Sequence, residues 1–438
     1  MNTLPIAVIG AGPVGLAAAA HLELRGIPFL LFEAGSTVAS NVLTWKHIRV
    51  FSPWKYNIDK AARQLLASVE WKSPDDDALP TGAELFDHYF KPLYELPKIK
   101  ANTFLQAKVL SIGRKNIDKM KSNDREKHPF VIQVFREGKV NQYEVRAVID
   151  ASGTWNSPNP IGSGGVYAVG ELENREKIFY GIPDVLGDHA DRYRNKSVLV
   201  VGSGHSAINT ILELDKLRGR YPETKINWIL RKSNVNEVYG GQEKDALAAR
   251  GALGLKIEAL VREGSVKVFT PFQIQEVIKE GASLAIGGYW NDEEFVLPQI
   301  DEIISSTGSR PDFSFIREVR LSIDPALESA SAIAEMIDPN VHSCGTVRAH
   351  GEKELRQPEE NFYIVGSKSY GRAPTFLMAT GYEQVRSIVA AIDGDLAAAQ
   401  QVELDLPETG VCSTDLASVP CCGTTSKSSA NAADACCG

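Results

Sequence analysis

The chain has 438 residues, 43% of them apolar and 23% charged, with a formal net charge of −8. That length exceeds what a single core supports, about 250–300 residues, so two or three domains are expected. An acidic chain with no basic block argues against nucleic acid or an anionic membrane as partner, and no apolar run nears the ~20 residues that span a bilayer.

The start, "MNTLPIAVIGAG", runs straight into a strand with no leader pattern, which predicts a cytoplasmic protein. "PIAVIGAGPVGLAAAAHLELRGIPFLLFEAG" reads as strand, glycine turn and Ala/Leu-rich helix stopped at Gly26, then a second strand ending at Glu33. "TWKHIRVFSPW" (44–54) follows as an aromatic-rich run. The charged stretch 113–128, "GRKNIDKMKSNDREKH", is expected to be a solvated β-turn insertion. "VRAVIDASGTW" (145–155) is an apolar strand entering a small-residue turn. "KSVLVVGSGHSAINTILELDKL" (196–217) repeats the strand–turn–helix unit, with "KINWILRKS" as its second strand. "VLPQIDEIISSTGSRPD" (296–312) is another strand entering a turn, and 361–392 gives a last buried strand, a polar loop and a closing helix. The expected class is α/β with two Rossmann-like dinucleotide-binding domains and a disordered Cys-rich C-terminal tail. The division expected is 1–165 with 300–402 for one nucleotide domain, 166–299 for the other, and 403–438 for the tail.

Gly10-x-Gly12-x-x-Gly15 opens a helix directly after a strand, the context in which this spacing carries meaning. Gly10 suits the tight turn, Gly12 the approach of a pyrophosphate, and Gly15 close helix–strand packing. Glu33 ends the second strand, where an acid accepts from a ribose 2′-OH. The second unit reads Gly202-x-Gly204-x-Ser206-Ala207, and its second strand ends in Arg231 and Lys232 rather than an acid. Cations there favour a 2′-phosphate, hence NADPH over NADH.

On "GAGPVGL" with "LFEAG", "VIDASGTWNSPNP", "VLVVGSGHSA" and "ISSTGSRPD", residues 3–395 resemble flavoproteins with two dinucleotide-binding domains. These are the flavin-containing monooxygenases and thioredoxin-reductase-like enzymes. The resemblance implies FAD at the first site and NADPH at the second. It implies that Ala151–Gly153 and Ser306–Gly308 lie where the nucleotide domains connect, and that Gly366 through Thr380 lies beside the flavin. It further places Trp45, Arg49 and Ser52 near the flavin. Disulfide reductases of this superfamily carry CxxC or CxxxxC beside the flavin, and neither spacing occurs here. The monooxygenase branch, which uses NADPH and O2 to oxygenate a soft nucleophile, is the closer likeness. Among the histidines, His47 and His189 are candidates to touch flavin or nicotinamide, though loop histidines with ordinary hydrogen bonds fit as well. His205 falls in the second glycine turn, and no metal site is expected in the body.

Five of the six cysteines fall in the last 27 residues: Cys412, Cys421, Cys422, Cys436 and Cys437. Thiolates on a flexible chain can close on a thiophilic metal or metalloid. The ending resembles the vicinal Cys pair of mercuric reductases and the Cys-ended tails of arsenic-handling enzymes. The reading is therefore a FAD-containing, NADPH-dependent monooxygenase for a small soft nucleophile, foremost a trivalent arsenical, serving detoxification. Its partners would be that small molecule and O2, and a homodimer is compatible with it. Two alternatives stand beside it: a reductase passing electrons through the tail pairs to a disulfide or metal ion, and a nucleotide-binding redox sensor.

Overall fold

The computed structural model describes residues 4–240, 248–341, 347–373 and 376–404. The expected tail, with all five of its cysteines, and Cys344 lie outside the described residues.

Short apolar runs without alternation bury both faces, as parallel strands covered by helices do. Ile6–Ile9 and Ala147–Asp150 are buried at every position. They sit at the middle of a five-stranded parallel sheet ordered Phe362–Ile364, Ala147–Asp150, Ile6–Ile9, Phe29–Phe32, Thr103–Phe104. Register is fixed by Ile6 opposite both Phe29 and Ala147. The first helix, Pro13–Leu24, starts with Pro, whose fixed φ suits a first turn and whose missing N–H would be unpaired there anyway. Ala17, Ala18, Ala19 and Ala20 are wholly buried, and such small side chains let helix Met378–Ile392 pack against it. Gly26 at φ +66° ends the helix in a left-handed turn that a side chain would strain.

The second sheet is also parallel, ordered Lys267–Phe269, Lys225–Ile229, Ser197–Val201, Glu302–Ser305, Ile178–Tyr180. Glu302–Ser305 thus hydrogen-bonds in this sheet although it lies beyond residue 300. Helices His205–Arg220 and Ala248–Arg262 accompany it. The two parallel sheets and their glycine-opened helices are the Rossmann-like α/β pair that the sequence predicts.

Two three-stranded antiparallel sheets were not foreseen: Lys108–Arg114, Phe130–Arg136, Lys139–Val145, and Phe272–Glu280, Ser283–Trp290, Glu293–Ile300. The insertion at 113–128 also departs from a fully solvated turn. Arg114 and Arg125 are buried and both donate to the buried Glu359, at 2.8 Å and 2.8–3.1 Å. Among the described residues no helix is long and apolar enough to cross a membrane.

Candidate functional site

The carboxyl ends of the first sheet's strands open into a cavity of about 710 Å³. At its floor each glycine of the first turn has a different reason to be glycine. Gly10 sits at φ +92°, and a Cβ there would lie 2.8 Å from the Ala151 carbonyl oxygen. A Cβ on Gly15 would lie 1.8 Å from the Gly10 oxygen, so the helix could not approach the turn. Gly12 lines the cavity, and a Cβ there meets nothing within 4 Å. The protein itself would tolerate a side chain at residue 12; only an occupant of the cavity would not. With the start of helix Pro13–Leu24 behind it, this turn fits a pyrophosphate.

Glu33 is buried at the cavity wall. Its carboxylate accepts from Ala11 N at 2.8 Å, Gly35 N at 2.7 Å and Ser40 Oγ at 3.0 Å. Three of about four acceptor positions are thus occupied by the loop it organises, which leaves one for a further donor. Trp45, Ala151, Gly153 and Gly366 also line the cavity.

Three residues expected near the flavin are not among the described lining. The exposed Arg49 turns to the Leu79 carbonyl, 3.5 Å from Glu84. Ser52 is buried and donates to Asn57 Oδ1 at 2.9 Å. Thr380 is buried in the first turn of helix Met378–Ile392, its amide on the Leu377 carbonyl at 3.0 Å.

Two features had no counterpart in the sequence reading. Lys368 is fully buried and donates to Asp150 Oδ2 at 2.7 Å, Ser152 Oγ at 3.2 Å and the Asp312 carbonyl at 2.6 Å. All three ammonium protons are used, under the rings of Phe313 and Phe315 at 5.4 and 4.4 Å. Ser152, Asp312 and Phe315 are cavity lining, so one lysine ties three parts of the wall. Gln384 accepts from Gly366 N at 2.7 Å, and its amide lies 2.9 Å from His350 Nε2. Burial lowers the His350 pKa, which keeps the ring neutral and free to accept that amide proton.

The second turn repeats the logic of the first. Gly202 has φ +132°, and a Cβ there would lie 2.3 Å from the Ser306 oxygen. Gly204 precedes helix His205–Arg220, and a Cβ there meets nothing within 4 Å. Ala207 is fully buried, and the Ser206 carbonyl accepts from Thr210 Oγ1 at 2.9 Å. Trp228, unnoticed in the sequence, donates its indole N–H to the Gly202 carbonyl at 2.7 Å and holds the turn from below. Arg231 and Lys232 follow the strand Lys225–Ile229. Arg231 is exposed and donates to the Ser163 carbonyl at 3.0 Å; Lys232 donates to the Glu237 carbonyl at 3.1 Å.

The two units meet along a seam. The Phe51 ring lies 5.2 Å from that of His205, Lys46 Nζ lies 3.0 Å from Asp188, and His47 Nε2 lies 3.7 Å from Glu213 Oε2. His189 sits edge-on to Phe179, with ring centroids 5.0 Å apart.

Comparison with known proteins agrees with this architecture. Residues 7–345 match the sequence profile of the pyridine nucleotide-disulphide oxidoreductases. Bacilliredoxin reductase Bdr of Bacillus subtilis is 23% identical over 334 residues, 76% of this chain and 86% of that protein. A probable indole-3-pyruvate monooxygenase of Arabidopsis thaliana is 27% identical over 225 residues, 47% of this chain and 43% of that protein. Among solved structures, the bacillithiol disulfide reductase Bdr of Bacillus cereus superposes with TM-score 0.67 at 18% identity, over 89% of this chain and 99% of that one. The FAD-bound cadaverine monooxygenase DfoA of Erwinia amylovora gives 0.63 at 13% identity, over 92% and 97%. Reductases and monooxygenases therefore share this fold.

Proposed function

Since the chain belongs to the pyridine nucleotide-disulphide oxidoreductase family, we propose that it is a FAD-containing, NADPH-dependent oxidoreductase of monooxygenase type acting on a small soft nucleophile. A trivalent arsenical or related metalloid is the substrate we favour. Gly12 with the start of helix Pro13–Leu24 would hold the FAD pyrophosphate and Glu33 a ribose hydroxyl, and Gly204 would hold NADPH. Residues 1–165 and 300–402 serve the flavin and 166–299 the nicotinamide coenzyme, with Glu302–Ser305 completing the second sheet. Arg231 and Lys232 leave their carbonyl partners to meet the 2′-phosphate. Bound FAD supplies the two-electron relay between NADPH and O2. In the balanced reaction NADPH and a proton reduce one oxygen atom to water, while the other passes to the metalloid, which goes from trivalent to pentavalent.

One observation carries the choice of oxygen transfer. A disulfide relay beside the flavin needs two sulfurs, and Cys344 alone precedes Cys412. The tail thiols Cys412, Cys421, Cys422, Cys436 and Cys437 then serve as a thiophilic trap that hands substrate inward. The reductase reading draws support from the likeness to Bdr over 86% of that protein's length, and it would use the tail pairs as electron carriers. O2 uptake during NADPH oxidation by the FAD-loaded protein, with and without arsenite, separates the two. Arsenite-stimulated O2 uptake matched by arsenate formed, with no hydrogen peroxide released, supports oxygenation. NADPH oxidation that proceeds anaerobically with a disulfide or metal ion as acceptor supports reduction.

A further inference from the structure

His47 comes from the segment beside the first cavity, two residues after the cavity-lining Trp45. Glu213 comes from helix His205–Arg220, whose start carries the second glycine turn. The two side chains are 11% and 16% exposed, and their facing atoms, His47 Nε2 and Glu213 Oε2, are buried with no hydrogen-bond partner at 3.7 Å. Polar atoms in that position cost free energy unless a proton joins them. The Pro183 carbonyl beside the imidazole opposes the lowering of its pKa and offers it an acceptor. A neutral imidazole has one donor and one acceptor nitrogen, so donation to Pro183 leaves a lone pair on Nε2 facing the carboxyl. A protonated Glu213 can donate to it; an ionised Glu213 meets a lone pair.

The surroundings bear on which form holds. Burial pushes the Glu213 carboxyl up to about 7, with Lys216 on its own helix opposing and Asp184 on the connecting loop reinforcing. Burial likewise pushes His47 down; Asp184 and the Pro183 carbonyl oppose this, while His189 and Lys46 add to it. Both shifts favour one proton on the pair, at the carboxyl. A second ion pair of the seam, Lys46 with Asp188, is 48% and 68% exposed, a setting in which such pairs contribute little.

We propose that Glu213 and His47 are positioning residues that share one proton across the seam, and that this proton sets how the second nucleotide site is held against the first during hydride delivery. The inference rests on assigning FAD and NADPH to the two turns, and not on whether the electrons then go to O2 or to a disulfide.

The test uses the full-length, FAD-loaded protein and Glu213→Gln, whose amide can donate to Nε2 at any pH. Anaerobic reduction of the flavin by NADPH is followed by rapid mixing from pH 6 to 9. Wild-type reduction should slow through an inflection near 7, roughly tenfold per pH unit above it, while E213Q stays flat. His47→Gln, which offers the carboxylate an amide donor, should move the inflection to lower pH.

The second readout needs no turnover. A folded-state value above the ordinary carboxyl value means the Glu213 contribution to stability is complete below about 4.5 and lost as pH rises through about 7. The unfolding midpoint of wild type should therefore fall relative to that of E213Q across this range. The same inflection in E213Q as in wild type, or none in wild type, overturns the proposal. Failure of NADPH to reduce the flavin at any pH would remove the cofactor assignment itself, and this proposal with it.

Discussion

Lys368 and Asp150 form an ion pair with no solvent exposure on either side chain, Nζ to Oδ2 2.7 Å, at the junction of two strand ends and the cavity wall. Removing one member of such a pair strands a buried charge and costs about 3–5 kcal/mol. Lys368→Met should lower the unfolding midpoint by many degrees and release FAD, because Ser152 and Asp312 lose their common anchor. The midpoint and the flavin-to-protein absorbance ratio check this together. A variant with wild-type values of both would mean the pair is dispensable to the wall.

Gly12→Val and Gly15→Val should fail in different ways. The first adds a side chain in a direction clear of protein atoms, so the fold should survive with unaltered circular dichroism while FAD is lost. The second drives a Cβ to 1.8 Å from the Gly10 oxygen, so the fold itself should suffer. Full flavin content in Gly12→Val would displace the pyrophosphate from this turn.

Replacing Arg231 and Lys232 together by Ala should raise the KM for NADPH at least tenfold more than that for NADH. A hydrogen bond to a charged group contributes about 1.5–3 kcal/mol, and about 1.4 kcal/mol is a factor of ten. Steady-state kinetics with the two coenzymes decide it, and equal effects would place the 2′-phosphate elsewhere.

Deleting the chain from Cys412 onward should leave flavin content and unstimulated NADPH oxidation intact. Turnover at low arsenite should fall and converge with full length at saturation, since a tethered ligand raises local concentration to about the millimolar range. Loss of turnover at every concentration would instead mark the tail thiols as electron carriers. Identical curves would leave them without a part in the reaction.

The two glycine turns were legible because their physics is local. Four or five apolar residues followed by glycine at fixed spacing can hardly do anything but enter a strand and turn over a helix. The partners of charged residues are not local. Lys368 looks like any polar loop lysine in "GSKSY", and its carboxylate is 218 residues away. Arg125 sits in the charged string "SNDREKH", yet Glu359, 234 residues on, takes it out of solvent. For the same reason Arg49 and Ser52, which lie in a plausible segment, are turned to Leu79 and Asn57 rather than to the cavity. The His47–Glu213 contact also depends on how two separately encoded units meet, and neither neighbourhood announces it.

The strand order of the first sheet has a consequence for how the protein is made. Its edge strand, Phe362–Ile364, and the helix Met378–Ile392 that covers Pro13–Leu24 are synthesised after the whole of the second sheet. A ribosome that has released the first 350 residues therefore holds a first unit with one bare sheet edge and one uncovered alanine-rich helix face. Such surfaces invite wrong pairing, so this unit is the vulnerable intermediate of biogenesis while the second can fold on its own schedule. Nascent chains stalled before residue 361 should be protease-resistant in 166–305 and sensitive in 1–165. Resistance should reach the first region only once the last helix has emerged, so the cavity whose lining begins at residues 9 and 10 is completed last.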